Sequence, residues 1–288
     1  MSRIVAVTGI HGDQQAAAAH AFGKAGWQVR GIVRQAPDVN SGDVRIGDLA
    51  SGEGLEQALE GADVVAFTLP QDHSEGTMAQ MARNVATAAQ RVEVSRIILN
   101  VAGTVAESSP APMFAAMRAA RDAIRESGVP STVLQPTVYM DNLLAPWILP
   151  GIVNDGVLAY PAPEDAPVSW ISHRTLGAFF VAAAESEEAA GRVYKVGGPE
   201  ALTGPDLAGI LQERLGRAVA YQRVPLDVFA AGLNQAFGPP AGDRIASLYA
   251  HLEDDPTAMA VGQQAAEELG VEPESFAGFA ARNDWALG

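Results

Sequence analysis

The sequence predicts an α/β fold in which a doubly wound parallel sheet carries a smaller, mostly helical C-terminal lobe. Three observations predict it. Apolar runs alternate with helix-grade segments up to about Pro136, the first run meets a turn with two glycines, and beyond Pro136 the alternation gives way to Pro-broken loops and helices. The first turn is the most informative stretch. Ile4 to Val7 is an apolar run, Thr8-Gly9-Ile10-His11-Gly12 a turn that continues through Asp13-Gln14-Gln15, Ala16 to Gly26 an Ala-rich helical segment, and Val29 to Arg34 a second strand. Together they read as a Rossmann-type βαβ unit with a phosphate loop. Glycines there let the backbone bend and approach a pyrophosphate, while the helix N-terminus offers unpaired N–H groups and partial positive charge. The dinucleotide pattern calls for a third Gly at position 15, where this chain has Gln15, and Asp13 stands where a diphosphate would lie. Asp13 has two readings: a carboxylate that complements the helix dipole by about 0.3–1 kcal/mol, or the mark of a loop that no longer takes a dinucleotide. Gln15 reads as a packing change, its side chain turned aside.

The elements follow in order. Val44 to Leu49 is a short strand ending at Asp48, Ser51 to Gly61 a helix, and Ala62 to Thr68 a buried strand closed by Leu69-Pro70-Gln71. Gly76 to Val92 has the spacing of a helix, with Met78, Met81 and Val85 on one face. Ser95 to Asn100 is a strand leading into Val101-Ala102-Gly103. Pro112 to Ser127 is a helix stopped by Gly128, and Ser131 to Gln135 is a sixth strand. Beyond Pro136, Tyr139 to Leu149 reads as helical, Val157 to Tyr160 as a short strand, Arg174 to Glu185 as a helix, and Arg192 to Val196 as a strand returning to the sheet. Helices follow from Thr203 to Leu215, from Pro225, from Asp243 to Leu252 and from Val261 to Leu269. The expected organisation is a dinucleotide-binding domain over 1–136 and a substrate-covering lobe over 137–288, with a cleft between them.

Composition narrows the function classes. A chain of 288 residues, 48% hydrophobic and 18% charged, buries a large core. With no cysteine, disulfides, thiolate catalysis and Cys-based metal sites are excluded; His, Asp and Glu also show no metal-ligand spacing. A formal charge of −15 argues against nucleic acid and anionic membranes as partners. No apolar run reaches about 18 residues, and the N-terminus enters a strand at once; a cytoplasmic protein is expected.

The chain resembles the NmrA-like, atypical short-chain dehydrogenase/reductase family. The residues that carry the resemblance are Thr8-Gly9-x-x-Gly12, Val29 to Arg34, Gly47-Asp48-Leu49, Arg125 to Pro136, Tyr139-Met140-Asp141-Asn142 and Arg192 to Thr203. It implies NADP(H) as cofactor. Gly9, His11, Gly12, Asp13 and Gln14 would surround the pyrophosphate, and Arg34 would meet the adenosine 2′-phosphate, where an NAD enzyme places an acid for the ribose hydroxyls. Asp48 and Leu49 would border the adenine, Thr68, Leu69 and Pro70 the ribose and pyrophosphate, and Val101, Ala102 and Gly103 the nicotinamide. The Tyr-x-x-x-Lys pair of ordinary short-chain dehydrogenases is absent, and the place where some relatives carry a catalytic Lys holds Met117, beside Arg118.

Chemistry falls to Tyr139, Asn142 and His173 as catalytic candidates, with Tyr139, Asn142, Leu143, Trp147 and Trp170 as substrate lining. Asp72 and His73 form a loop tip, and Asp141 is a further acid/base candidate. Three readings stand: an NADPH-dependent reductase of a quinone or conjugated carbonyl, a catalytically silent NADP sensor, and a non-redox cyclase, isomerase or lyase on a degenerate cofactor loop. Quinone reduction suits the missing Tyr/Lys pair, because a hydroquinone anion is stable enough to take its proton from solvent or a weak donor. The expected partner is a flat, apolar small molecule; a monomer or homodimer is expected.

Overall fold

The computed structural model describes residues 3–35, 42–70 and 76–286. The strands are β1 (Ile4–Thr8), β2 (Gln28–Val33), β3 (Val44–Ile46), β4 (Val64–Thr68), β5 (Arg96–Asn100), β6 (Ser131–Pro136), β7 (Val157–Tyr160), β8 (Val193–Val196) and β9 (Ala220–Arg223). The helices are α1 (Asp13–Lys24), α2 (Leu55–Leu59), α3 (Thr77–Arg91), α4 (Pro112–Arg125), α5 (His173–Glu185), α6 (Gly204–Leu215), α7 (Leu226–Phe237), α8 (Ala241–Asp254), α9 (Gln264–Leu269) and α10 (Phe276–Arg282). Seven strands pair in parallel in the order β3-β2-β1-β4-β5-β6-β8, and β7 pairs in parallel with β9 in a small second sheet.

Alternation along β4 shows how the layers form. Val64 and Ala66 pack with Phe22 of α1 and Phe179 and Phe180 of α5 on one face. Val65 and Phe67 pack with Val85 of α3 and Ile124 of α4 on the other. The strand order reverses between β1 and β4, which opens a crevice at their carboxyl ends, the place where ligands bind in open α/β sheets. The later elements lie near that end: α8 meets α4 through an edge-to-face contact of His251 and Phe114, with centroids 5.4 Å apart. Among the described residues no helix is long and apolar enough to cross a membrane.

Three expectations need correction. The helix expected over 51–61 shrinks to Leu55–Leu59, because Gly52 and Gly54 both adopt left-handed backbone; at Gly54 a Cβ would stand 2.8 Å from the Ile46 carbonyl oxygen. The helix expected over 139–149 is a 3₁₀ turn over Met140–Leu144; Ala145, held extended before Pro146, ends it. Third, α10 and β9 form where no element was expected. Gln71, Asp72 and His73 lie outside the described residues.

Candidate active site

The glycine turn is built for a close approach from solvent. Gly9 has φ +62°, which an L side chain rarely adopts, and its N–H donates to the Ile32 carbonyl on β2 at 2.7 Å. Gly12 caps α1 and its N–H donates to the Gly9 carbonyl at 2.9 Å. The first backbone bond of the helix runs from Ala16 N to Gly12 O, so the first-turn amides at Asp13, Gln14 and Gln15 have no intrahelical acceptor. Gly9, His11, Gly12 and Arg34 are exposed at the carboxyl ends of β1 and β2, and Asp48 and Leu49 are half-buried past β3. The Asp48 carboxylate accepts from Ala50 N at 2.7 Å, which shapes that turn.

Gln15 is not turned aside. It is buried, and its Nε2 donates to the main-chain oxygens of Thr8 (2.8 Å) and Ala66 (3.1 Å), while Thr68 Oγ1 donates to its Oε1 at 2.7 Å. The side chain thus staples β1 to β4 at the switch point and is satisfied at both ends. Gln14 extends the network. Its Oε1 accepts from Asn100 Nδ2 at 2.9 Å and from the Tyr139 hydroxyl at 3.0 Å, and Asn100 Oδ1 accepts from Ala102 N at 2.8 Å. One polar chain therefore links the ends of β1, β4 and β5 to Tyr139.

Tyr139 opens onto a cavity of about 280 Å³ shared by Gln14, Ala102, Gly103, Asn142 and Trp147. Its inner wall is aromatic: Asn142 Nδ2 donates to the Tyr160 hydroxyl at 3.1 Å, and the Tyr160 and Tyr249 hydroxyls lie 2.8 Å apart. Phe229, Leu233 and Phe237 of α7 complete the lining, Phe229 edge to face on Tyr249 with centroids 5.5 Å apart. Trp147 and Phe237, both exposed, meet edge to face at 6.1 Å. Burial pushes the Tyr139 phenol above its ordinary range, so it is neutral and a donor at physiological pH.

His173 stands on the far side of Tyr139, ring centroids 4.9 Å apart, at the start of α5. Its backbone N donates to Asp141 Oδ2 at 2.8 Å, and its Nδ1 lies 3.6 Å from Asp141 Oδ1. Asp141 therefore serves as an acceptor at the N-terminus of α5. Burial lowers the His173 pKa, and Asp141 and Asp13 pull it back only in part. His173 and Asp13 line an open groove between α1 and α5 rather than the aromatic cavity.

Residues 1–280 match the NmrA-like family. The chain belongs to that family. This NmrA-like protein is 32% identical over 189 residues to a (4-alkanoyl-5-oxo-2,5-dihydrofuran-3-yl)methyl phosphate reductase of Streptomyces griseus subsp. griseus, a match that spans 66% of this chain and 64% of that relative's length. It is 29% identical to an NAD(P)H azoreductase of Xenophilus azovorans, over 84% of this chain and 82% of the relative. Among solved structures, an NADPH-dependent quinone oxidoreductase of Escherichia coli in complex with NADPH superposes with a TM-score of 0.75 at 23% identity, covering 96% of this chain and 98% of the other, which shows a shared fold.

Several residues expected at the site lie elsewhere. Leu143 and Trp170 are core residues and not cavity lining: Leu143 is fully buried, and Trp170 backs Tyr160 edge to face at 5.0 Å. Val101 and Leu69 are likewise buried beneath the turns they belong to, leaving Ala102 and Gly103, and Thr68 and Pro70, at the surface of the crevice or cavity. Met117 packs under Gly103, while Arg118 donates to the Ala106 and Ser109 carbonyls, so neither supplies a proton donor. Asn100, Tyr160 and Tyr249 were not foreseen. Asn100 had a signal, being the polar end of an apolar strand; Tyr249 sits on a helix face with nothing local to mark it.

Proposed function

We infer that this NmrA-like protein is an NAD(P)H-dependent reductase of a quinone or conjugated carbonyl compound, a flat and apolar small molecule. The observation that carries the reading is that Gln14 belongs both to the first turn of the glycine-loop helix and to the wall of the aromatic cavity. A cofactor bound at the loop would therefore extend toward the cavity. The residues fit that cofactor: Gly9 has open space above it, Gln15 is folded under the helix, and the Asp13 side chain belongs to the groove beside His173. Gly9, His11, Gly12 and the free amides of α1 would hold the pyrophosphate, and the exposed Arg34 would take the 2′-phosphate. Asp48, Leu49, Thr68 and Pro70 would border the adenosine half, and Ala102 and Gly103 the nicotinamide. Bound reduced nicotinamide supplies a hydride. The chain's own residues do the rest. Tyr139 and Asn142 orient the acceptor, Trp147 and the α7 aromatics flank it, and the neutral Tyr139 phenol gives a proton.

The test is NADPH oxidation by purified protein with and without 1,4-naphthoquinone. Quinone-dependent oxidation supports the reading. Tight NADP⁺ binding with no turnover on any acceptor would make the chain a sensor instead.

A further inference from the structure

The hydroxyls of Tyr160 and Tyr249 are 2.8 Å apart at the wall of the cavity, and both residues are more than nine-tenths buried. The pair holds two O–H donors, and the contact between them uses one. Asn142 contributes a further donor, which Tyr160 accepts at 3.1 Å. Among the described residues no side chain or carbonyl accepts the second phenol proton, whichever hydroxyl carries it. A buried donor without an acceptor is unfavourable, and here it borders a cavity able to hold a ligand. Burial pushes both phenols up, so neither loses its proton near neutral pH.

The rest of the wall restricts the ligand. Among the described residues none that line the cavity is charged; the lining is aromatic, aliphatic or uncharged polar. A phosphorylated substrate of the kind named for the Streptomyces griseus relative would find no cation among the described lining residues. A neutral ring system with a carbonyl oxygen at its inner end would place its apolar faces against Trp147, Phe229 and Phe237 and its oxygen against the phenol pair.

We propose that Tyr160 and Tyr249 form a paired-phenol donor that positions the oxygen of a neutral aromatic carbonyl substrate, making them specificity-determining residues. The proposal rests on the reading of this cavity as the substrate site. Replacing either tyrosine with Phe removes one hydroxyl and frees the other from the internal bond, so one phenol donor remains; only the double substitution removes both phenols.

The experiment is a calorimetric titration of wild type, Y160F, Y249F and the Y160F/Y249F double variant with 1,4-naphthoquinone and with naphthalene, without nucleotide. The chain has no cysteine for the quinone to alkylate. The affinity ratio of naphthoquinone to naphthalene falls about five- to tenfold in the double variant and stays within about twofold of wild type in each single variant. An unchanged ratio in the double variant, or no binding of naphthoquinone to wild type, overturns the proposal. Infrared spectra of naphthoquinone bound to wild type give a readout independent of any variant's folding. The carbonyl stretch falls below its value in an apolar solvent; a stretch equal to that value overturns the proposal. Turnover separates the two claims. NADPH oxidation with an unchanged ratio removes the phenol pair and keeps the reductase, whereas a lost ratio with no NADPH oxidation does the reverse.

Discussion

Tyr139 donates its phenol proton to Gln14 Oε1 at 3.0 Å, so the first turn of α1 and the aromatic cavity are joined by one hydrogen bond. The same oxygen also accepts from Asn100 Nδ2. Removing the phenol therefore leaves Gln14 partnered, and Tyr139→Phe should change unfolding free energy by no more than about 1 kcal/mol. Its effect falls on chemistry. We expect kcat with a quinone to drop about tenfold while KM for NADPH stays within about twofold, less than the usual general-acid effect of about a hundredfold or more because a hydroquinone anion is itself stable. Steady-state kinetics of the variant check this; unchanged kcat would remove Tyr139 as proton donor.

Gln15 is a structural staple, and restoring the glycine that a dinucleotide fingerprint favours should harm the fold. Gln15→Gly strips the Thr8 and Ala66 carbonyls of a donor and Thr68 Oγ1 of an acceptor, leaves a void, and places glycine inside a helix. A loss of about 3 kcal/mol in urea unfolding is expected. Nucleotide affinity should hold, since the loop amides remain.

Arg34 lies exposed at the end of β2, with no acid beside it in the chain to receive ribose hydroxyls. Arg34→Ala should weaken NADPH by about ten- to hundredfold and leave NADH within about twofold, the scale of a charge-assisted bond to phosphate. Equal losses for both nucleotides in a binding titration would remove that role.

His173 supplies a pH dependence. Its folded pKa is lowered by burial, so below the ordinary value of about 6.5 the unfolded chain binds this proton more readily than the folded one. Stability should fall as pH drops from about 7.5 to 5.5, a window above the carboxylates with lowered values, Asp43, Asp206, Asp255 and Glu274. Thermal melts of His173→Gln should show a shallower slope across that window than wild type.

The sheet was legible because buried parallel strands are continuous apolar runs and the crossovers carry helical spacing; β1, β4, β5 and β6 lie close to where those patterns put them. Boundaries failed where backbone conformation overrode side-chain pattern, at Gly52, Gly54 and the Ala145-Pro146 step. At the site, the glycine loop and the Tyr139 and Asn142 positions were readable as local motifs. The Gln14–Asn100 bond and the Tyr160–Tyr249 pair were not, because their partners are 86 and 89 residues apart and only tertiary packing joins them. Leu143 and Trp170 were misread for a related reason: an apolar residue beside a cleft and one inside the core look alike in sequence.

A reductase needs the loop carrying Asp13, Gln14 and Gln15 to take a dinucleotide. Calorimetric titration of nucleotide-free protein with NADPH, and with NADH in parallel, tests this most directly. Micromolar binding that favours NADPH is the predicted result. Absence of binding at millimolar NADPH would contradict a nicotinamide-dependent reductase and leave the aromatic cavity as a site for chemistry that needs no nicotinamide.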